Sequence, residues 1–204
     1  MFTVHLVDDE PTVLRALSRF LNAKGYDVRA FTSAREFLDQ HDSTVPGCAI
    51  FDLSMPGLDG LTLQQTLATD GVQRPVIFLT GKGDVPASVR AMKAGAIDFL
   101  TKPVKNKELL DAIARAEEAD VRTREAQRER AEIQAKIETL TPREREVLSH
   151  VISGRLNKQI AADLGTVEKT VKVHRGRMME KLGVRTVADL VRLAEKAGIQ
   201  IAKS

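Results

Sequence analysis

The sequence predicts an α/β fold with a doubly wound, five-stranded parallel sheet, followed by a long helical stretch and an all-helical domain. Three observations predict it. Apolar strand-like runs alternate with helical spacing five times in the first half, the pattern of a parallel sheet wrapped by right-handed crossovers. No proline or glycine interrupts residues 105–139, and the chain beyond carries four short helical patterns, each closed by glycine. Charge divides the same way. From Thr139 to Ser204 there are 13 Lys/Arg against 7 Asp/Glu, whereas residues 1–138 hold 18 against 21. An acidic front and a basic rear suggest two domains, the rear facing a polyanion.

Residues 2–7 read as the first strand and run into Asp8, Asp9 and Glu10. Helical spacing at Val13, Leu14, Leu17, Phe20 and Leu21 makes 11–24 a helix that Gly25 ends. Residues 28–31 form the second strand. Ser33 caps a helix to about His41, with Glu36 completing a capping box. Strands at 49–53, 75–80 and 96–100 alternate with helices at 60–69 and 85–94. Thr101, Lys102 and Pro103 end the last strand.

A helix begins near Asn106. Ala112, Ala119, Ala126, Ile133 and Leu140 fall seven apart, and their companions Ala116, Thr123, Arg130 and Ile137 are apolar only at the two ends. That is half a heptad seam. A continuous helix, a weak coiled coil between two chains and a charged flexible linker all fit; helix propensity is high throughout. The expected division is 1–120, a helical linker at 121–138, and 139–204. In the tail, Thr141 caps, Pro142 takes the first helical position and Glu144 reaches back. Helices then follow to about Ser153 and at 157–164, 167–182 and 186–197. The middle pair, turning at Gly165, has helix-turn-helix proportions.

The chemistry centres on Asp52, a carboxylate at the end of a buried strand that runs into Pro56 and Gly57. In open α/β sheets, ligand chemistry sits at the carboxyl ends of the strands. Alone, such an acid is usually a turn cap. Here Asp8 and Asp9 end the neighbouring strand, so three carboxylates cluster and repel. A hard divalent cation with oxygen ligands and room for water, Mg²⁺, is the simplest compensation. Thr80 and Lys102 end the fourth and fifth strands and supply a hydroxyl and an ammonium for phosphate oxygens.

These residues carry a resemblance. Asp8-Asp9, the run Asp52-x-x-x-Pro56-Gly57-x-Asp59-Gly60, Thr80 and Lys102-Pro103 resemble response-regulator receiver domains, whose fold is flavodoxin-like. The stretches starting at Thr80 (with Lys82, Gly83 and Asp84) and at Ala91 look like the FixJ subgroup. The resemblance implies that Asp52 accepts a phosphoryl group from a sensor histidine kinase. It implies that Asp9, Asp52 and the Ser54 carbonyl ligate Mg²⁺, with Asp8 acting through water. It also implies that Thr80 and Phe99 are the switch pair. In the tail, Leu140–Leu148, Asn157–Ala161 and Lys169–His174 are similar to the LuxR/NarL-type helix-turn-helix. That implies a DNA-binding set of Asn157, Lys158, Lys169, Thr170, Lys172, Val173, Arg175, Gly176 and Arg177. Lys172 and Val173 are expected to read base edges, and Lys169, Thr170, Arg175 and Arg177 to hold phosphates. Three departures stand out: Val167 where the family usually caps with Ser, leaving Thr166 as a possible cap; Leu156 before Asn157; and Gly176 at a place often held by a long polar residue.

The resemblance further implies double-stranded promoter DNA, RNA polymerase and, on phosphorylation, a second copy of the chain as partners. The face carrying Arg90, Lys93 and Asp98 suits a self-complementary contact; release of a masked recognition helix is the alternative. The reading is of a regulator, not an enzyme beyond its own Mg²⁺-dependent phosphorylation and dephosphorylation, because no second substrate site is visible. RNA binding is disfavoured, since residues 139–204 contain no aromatic residue. Cys48 lies alone in an apolar run, no stretch reaches membrane-spanning length and no charged leader opens the chain. The expected location is the cytoplasm, with no membrane contact.

Overall fold

The computed structural model describes residues 2–81 and 85–199. Lys82, Gly83 and Asp84 of the receiver-like motif lie outside the described residues, as does the end of the basic tail from 200 to 204. The chain divides into two compact units, Met1–Arg124 and Glu125–Ser204, and the division falls within one helix.

The first unit runs β1 (Thr3–Val7), α1 (Pro11–Ala23), β2 (Asp27–Phe31), α2 (Ala34–Gln40), β3 (Gly47–Asp52), α3 (Gly60–Thr69), β4 (Val76–Thr80), α4 (Val85–Lys93), β5 (Asp98–Thr101) and the first part of α5 (Asn106–Glu138). The sheet order is β2-β1-β3-β4-β5, with every neighbouring pair parallel. β1, β3 and β4 are buried along their whole length, which is why they read as largely apolar runs, although β1 also buries Thr3 and His5. Leu14 and Leu21 of α1 and Leu109, Ala112, Ile113 and Ala116 of α5 cover one sheet face with Ile50, Ile77 and Leu79. Phe37 of α2, Leu63 and Leu67 of α3 and Ala91 of α4 cover the other with Phe51 and Phe78. Phe51 is fully buried, and truncating it to Ala would cost about 3–5 kcal/mol.

Local chemistry explains most boundaries. Ser33 accepts the Glu36 N–H at 3.2 Å, so it caps α2 as expected. Glu36, however, reaches past it to Thr32, accepting its N–H at 2.8 Å and its hydroxyl at 3.0 Å, so the expected box is not reciprocal. β5 starts at Asp98 instead of 96, because Ala96 still bonds back to Ala91 in the turn that closes α4. At its far end the first unit is fastened by Arg124, whose guanidinium donates to the carbonyls of Ser43, Thr44 and Val45 and pairs with buried Asp120 at 2.8 Å.

The second unit contains the last turns of α5, then α6 (Pro142–Ile152), α7 (Asn157–Asp163), α8 (Glu168–Leu182) and α9 (Val187–Ala197). Thr141 and Glu144 close a full capping box on α6. Ile133 and Ile137 of α5 enter the core with Leu140, Val147, Ile160, Val171, Met178, Leu182 and Leu190. The apolar end of the heptad pattern is therefore used inside this unit. α8 begins at Glu168 behind Val167, which makes no side-chain cap. Thr166 precedes the cap position and belongs to the turn before it, its N–H bonded to the Ala161 carbonyl at 2.9 Å. Among the described residues, no helix is long and apolar enough to cross a membrane.

Candidate functional site

Register places the pocket of the first unit. Val7 lies opposite Phe51, Asp52 opposite Leu79 and Thr80 opposite Thr101. Asp8, Asp52, Thr80 and Lys102 therefore leave their strands at one edge, the carboxyl edge. The backbone beyond Asp52 is fixed by Leu53 donating to the Leu79 carbonyl at 2.9 Å. Two glycines shape the turn that follows. Gly57 takes a φ of +83°, the left-handed region that favours glycine. Gly60 opens α3 so close to β3 that a Cβ would stand 2.5 Å from the Asp52 carbonyl oxygen. Asp59 then caps α3 by accepting the Thr62 N–H at 2.7 Å.

Both oxygens of Asp52 are held. Oδ2 accepts the Ser54 N–H at 2.9 Å, and Oδ1 faces Lys102 Nζ at 2.8 Å. Lys102 also donates to Asp8 Oδ2 at 2.7 Å and lies 3.6 Å from Glu10 Oε1. The other oxygen of Asp8 accepts the Glu10 N–H at 2.9 Å. This corrects the expected cluster of three carboxylates. Of the three acids, Asp8 and Asp52 are buried, with the Lys102 ammonium between them. Asp9 is exposed, and Ser54 is exposed beside the pocket. Among the described residues, no three acidic or histidine side chains converge as a ready metal cage. The donor set still fits a hard cation: it is oxygen-only, with two carboxylates buried and a third adjacent in sequence.

Burial dominates the electrostatics of Asp8 and pushes its carboxyl above the ordinary range, despite the bond from Lys102. For Lys102, burial works against the ammonium, but the hydrogen bonds to Asp52 and Asp8 outweigh it and raise its pKa. Thr80 is 2% exposed at the end of β4, and its carbonyl accepts the Lys102 N–H at 2.7 Å. Phe99 is half-buried, opposite Phe78 with ring centroids 6.3 Å apart. By strand periodicity Thr80 and Phe99 lie on one sheet face, diagonal to each other.

Arg90 and Lys93 are exposed on α4, beside the exposed apolar side chains of Val89 and Met92. Asp98 is already engaged, accepting from the Phe99 N–H at 2.7 Å and pairing with Arg115 of α5. Sequence reasoning missed Arg115 because its partner lies across two elements. It also missed a groove of about 610 Å³ beside Lys102, lined by Val13, Leu17 and Phe20 of α1, with Pro103 and Val104. The spacing of Val13, Leu17 and Phe20 was the available signal, read only as core.

In the second unit, the buried stripe of α8 is Val171, Met178 and Leu182. At 3.6 residues per turn, Val173 falls on the opposite side, with Lys169, Gly176 and Arg177 beside it and Thr170 and Lys172 at the edges. Lys169, Lys172, Val173, Gly176 and Arg177 are exposed; Thr170 is half-buried. Lys172 lies 3.3 Å from Glu168 one turn earlier. Arg175 departs from the expected phosphate-holding group. It lies toward the core side, half-buried, and donates to Asn157 Oδ1 of α7 at 2.9 Å. Lys158 is exposed on α7, and Gln159 holds the Leu156 N–H at 2.8 Å.

Comparison with known proteins agrees with both halves. The family model for the response regulator receiver domain matches residues 4–114, and that for bacterial regulatory proteins of the luxR family matches 138–194. The chain is 46% identical over 196 residues to nodulation protein W of Bradyrhizobium diazoefficiens, covering 96% of this chain and 86% of that one. It is 40% identical over 197 residues to the transcriptional regulatory protein FixJ of Rhizobium meliloti, covering 97% of each. The solved structure of the response regulator StyR superposes with a TM-score of 0.78 at 43% identity, covering 95% of this chain and 98% of that one. The chain belongs to the response regulators that join a receiver domain to a LuxR-family helix-turn-helix domain, and it is a phosphorylation-controlled DNA-binding regulator.

Proposed function

We propose that Asp52 is the phosphoacceptor and that its modification controls how α8 engages promoter DNA. The observation that carries this reading is the Asp52 carboxylate, nearly sealed at the carboxyl edge of a central strand with Lys102 Nζ 2.8 Å from Oδ1. A carboxylate oxygen of Asp52 attacks the phosphorus of a phosphohistidine. The new P–O bond forms as the P–N bond breaks, and the electron pair leaves with the imidazole nitrogen. Asp52 and the neighbouring acids carry the negative charge, Lys102 turns to the phosphoryl oxygens, and the Thr80 hydroxyl lies one residue beyond the pairing of Asp52 with Leu79. Asp9, Asp52 and the Ser54 carbonyl would hold Mg²⁺, with Asp8 acting through water. The ion supplies charge neutralisation of the incoming phosphoryl oxygens. The apolar groove beside Lys102 gives a histidine-kinase helix a footing next to the acceptor.

Thr80 and Phe99 form the switch pair: a phosphoryl group drawing Thr80 inward opens space on the face Phe99 shares. The surface that responds is α4 with β5, where Val89, Met92, Arg90, Lys93 and the Asp98–Arg115 pair suit a second copy of the chain. Pairing two readers raises affinity without new contacts.

Incubation with acetyl phosphate and Mg²⁺, followed by borohydride trapping and mass spectrometry, tests the acceptor. Label is expected on Asp52 and absent from Asp52→Asn. Label on Asp52→Asn at the native level would overturn the assignment. Sedimentation with beryllium fluoride tests the second step, with a dimer expected at micromolar concentration.

A further inference from the structure

Gly176 is the ninth residue of a helix of 15, far from both ends. Its φ is not positive, so the backbone does not require glycine there. A Cβ added to it would meet nothing within 4 Å. Neither conformation nor packing within the chain calls for glycine. Yet glycine is the least favourable helix residue short of proline. Its neighbour one turn earlier, Val173, is 45% exposed, although it is apolar. Both lie on the side of α8 opposite Val171, Met178 and Leu182. The result is an apolar notch, with Val173 as its wall and the bare backbone at Gly176 as its floor, flanked by Lys169 and Arg177.

We infer that this notch is a specificity element that takes the C5-methyl group of a thymine in the major groove. The inference rests on the reading of α8 as the DNA-contacting helix. In the major groove only thymine among the four bases presents a methyl group, and apolar contact is how it is read. Lysine and arginine on either side hold the backbone and carry no such information. A side chain at 176 would fill the space the methyl enters.

The test uses the full-length chain with Mg²⁺ and beryllium fluoride. A preferred sequence is first selected from a random duplex library, and each thymine in it is then changed singly to deoxyuridine, which removes only the methyl. At one thymine per half-site, binding is expected to weaken about fourfold, the worth of one buried methyl group. Gly176→Ala is expected to raise the melting midpoint of the DNA-binding unit by roughly 4 °C or more. It is also expected to weaken binding to the selected sequence and to bring the thymine-to-deoxyuridine ratio close to one. Val173→Ala should reduce the same ratio. A selected sequence indifferent to every deoxyuridine change, or Gly176→Ala binding it natively with the ratio intact, would overturn the notch alone. Selection that enriches no sequence would overturn the DNA-contacting role of α8 itself.

Discussion

In the first unit, Lys102 holds Asp8 at 2.7 Å and Asp52 at 2.8 Å, and all three side chains are mostly buried. In the second, Lys169, Lys172 and Arg177 stand exposed on α8, where Lys172 lies 3.3 Å from Glu168. The same residue type does different work in the two places. A buried ammonium between two acids cannot be removed without leaving charge stranded in low dielectric. An exposed one is solvated with or without its neighbour. The pocket proposed to take the phosphoryl group is therefore fixed in advance, whereas α8 keeps its cations available for a polyanion.

The largest effect should come from testing that contrast directly. Lys102→Met is expected to destabilise the first unit by about 3 kcal/mol. The loss should grow as pH rises, because Asp8, already raised by burial, must then ionise with no ammonium beside it. Lys172→Ala is expected to change the stability of the second unit by less than about 0.5 kcal/mol, while reducing its preference for the selected DNA sequence over random DNA. Urea unfolding, followed by hydrogen exchange in each unit, checks the first half, and competitive DNA binding checks the second. Equal stability losses in the two variants would break the comparison.

Acid separates the units next. His5 is fully buried, its Nδ1 bound to the Cys48 carbonyl at 3.2 Å and its ring against Phe31 and Phe37. Burial, with the nearby Arg74 guanidinium, lowers its pKa to about 4 from an ordinary 6.5. The unfolded chain thus binds a proton that the folded chain refuses. Stability is full above the unfolded value and falls as pH drops from about 6.5 towards 4, a loss of about 3 kcal/mol. His41, lowered by burial and Arg74, adds in the same direction. Asp8, raised by burial, runs the other way and recovers some stability on protonation. In the second unit the Lys181 ammonium, hydrogen-bonded to Glu144, holds that carboxyl below the ordinary glutamate range. Its contribution is present above the ordinary glutamate range and is lost only below it. The first unit should therefore melt at progressively lower temperature from pH 6.5 to 4 while the second holds. Calorimetry across that range reads both transitions, and His5→Phe should flatten the first.

The strands and the pocket acids were legible because each depends on local pattern: buried strands need largely apolar runs, and Asp8, Asp52, Thr80 and Lys102 each stand at the end of a strand. Thr141, Pro142 and Glu144 announced α6 for the same reason. What stayed hidden was long-range pairing between side chains. Nothing near Lys102 in sequence says that its partners are Asp8 and Asp52, and nothing near Arg175 says that it binds Asn157. Arg124 reaches carbonyls about eighty positions away. Long side chains choose partners after the backbone has folded, and local spacing carries no record of that choice.

The smallest effect concerns how the second unit starts its helices. Thr141 accepts the Glu144 N–H at 3.3 Å and Thr186 accepts the Asp189 N–H at 3.1 Å, so α6 and α9 are capped by hydroxyls. α8, the helix proposed to contact DNA, starts at Val167 with extended backbone and no side-chain acceptor. Val167 is also exposed, so its apolar side chain adds no core packing. Val167→Ser supplies the missing acceptor to the first turn without removing a buried contact. It should stabilise the second unit by roughly 0.5–1 kcal/mol, while Thr141→Ala should cost about 1 kcal/mol. Opposite shifts of similar size in the second melting transition are expected. If Val167→Ser leaves that transition unmoved, the first turn of α8 is already satisfied by its own backbone, in which Thr170 donates to the Val167 carbonyl at 3.0 Å. The weak cap would then be a matter of sequence alone and not of stability.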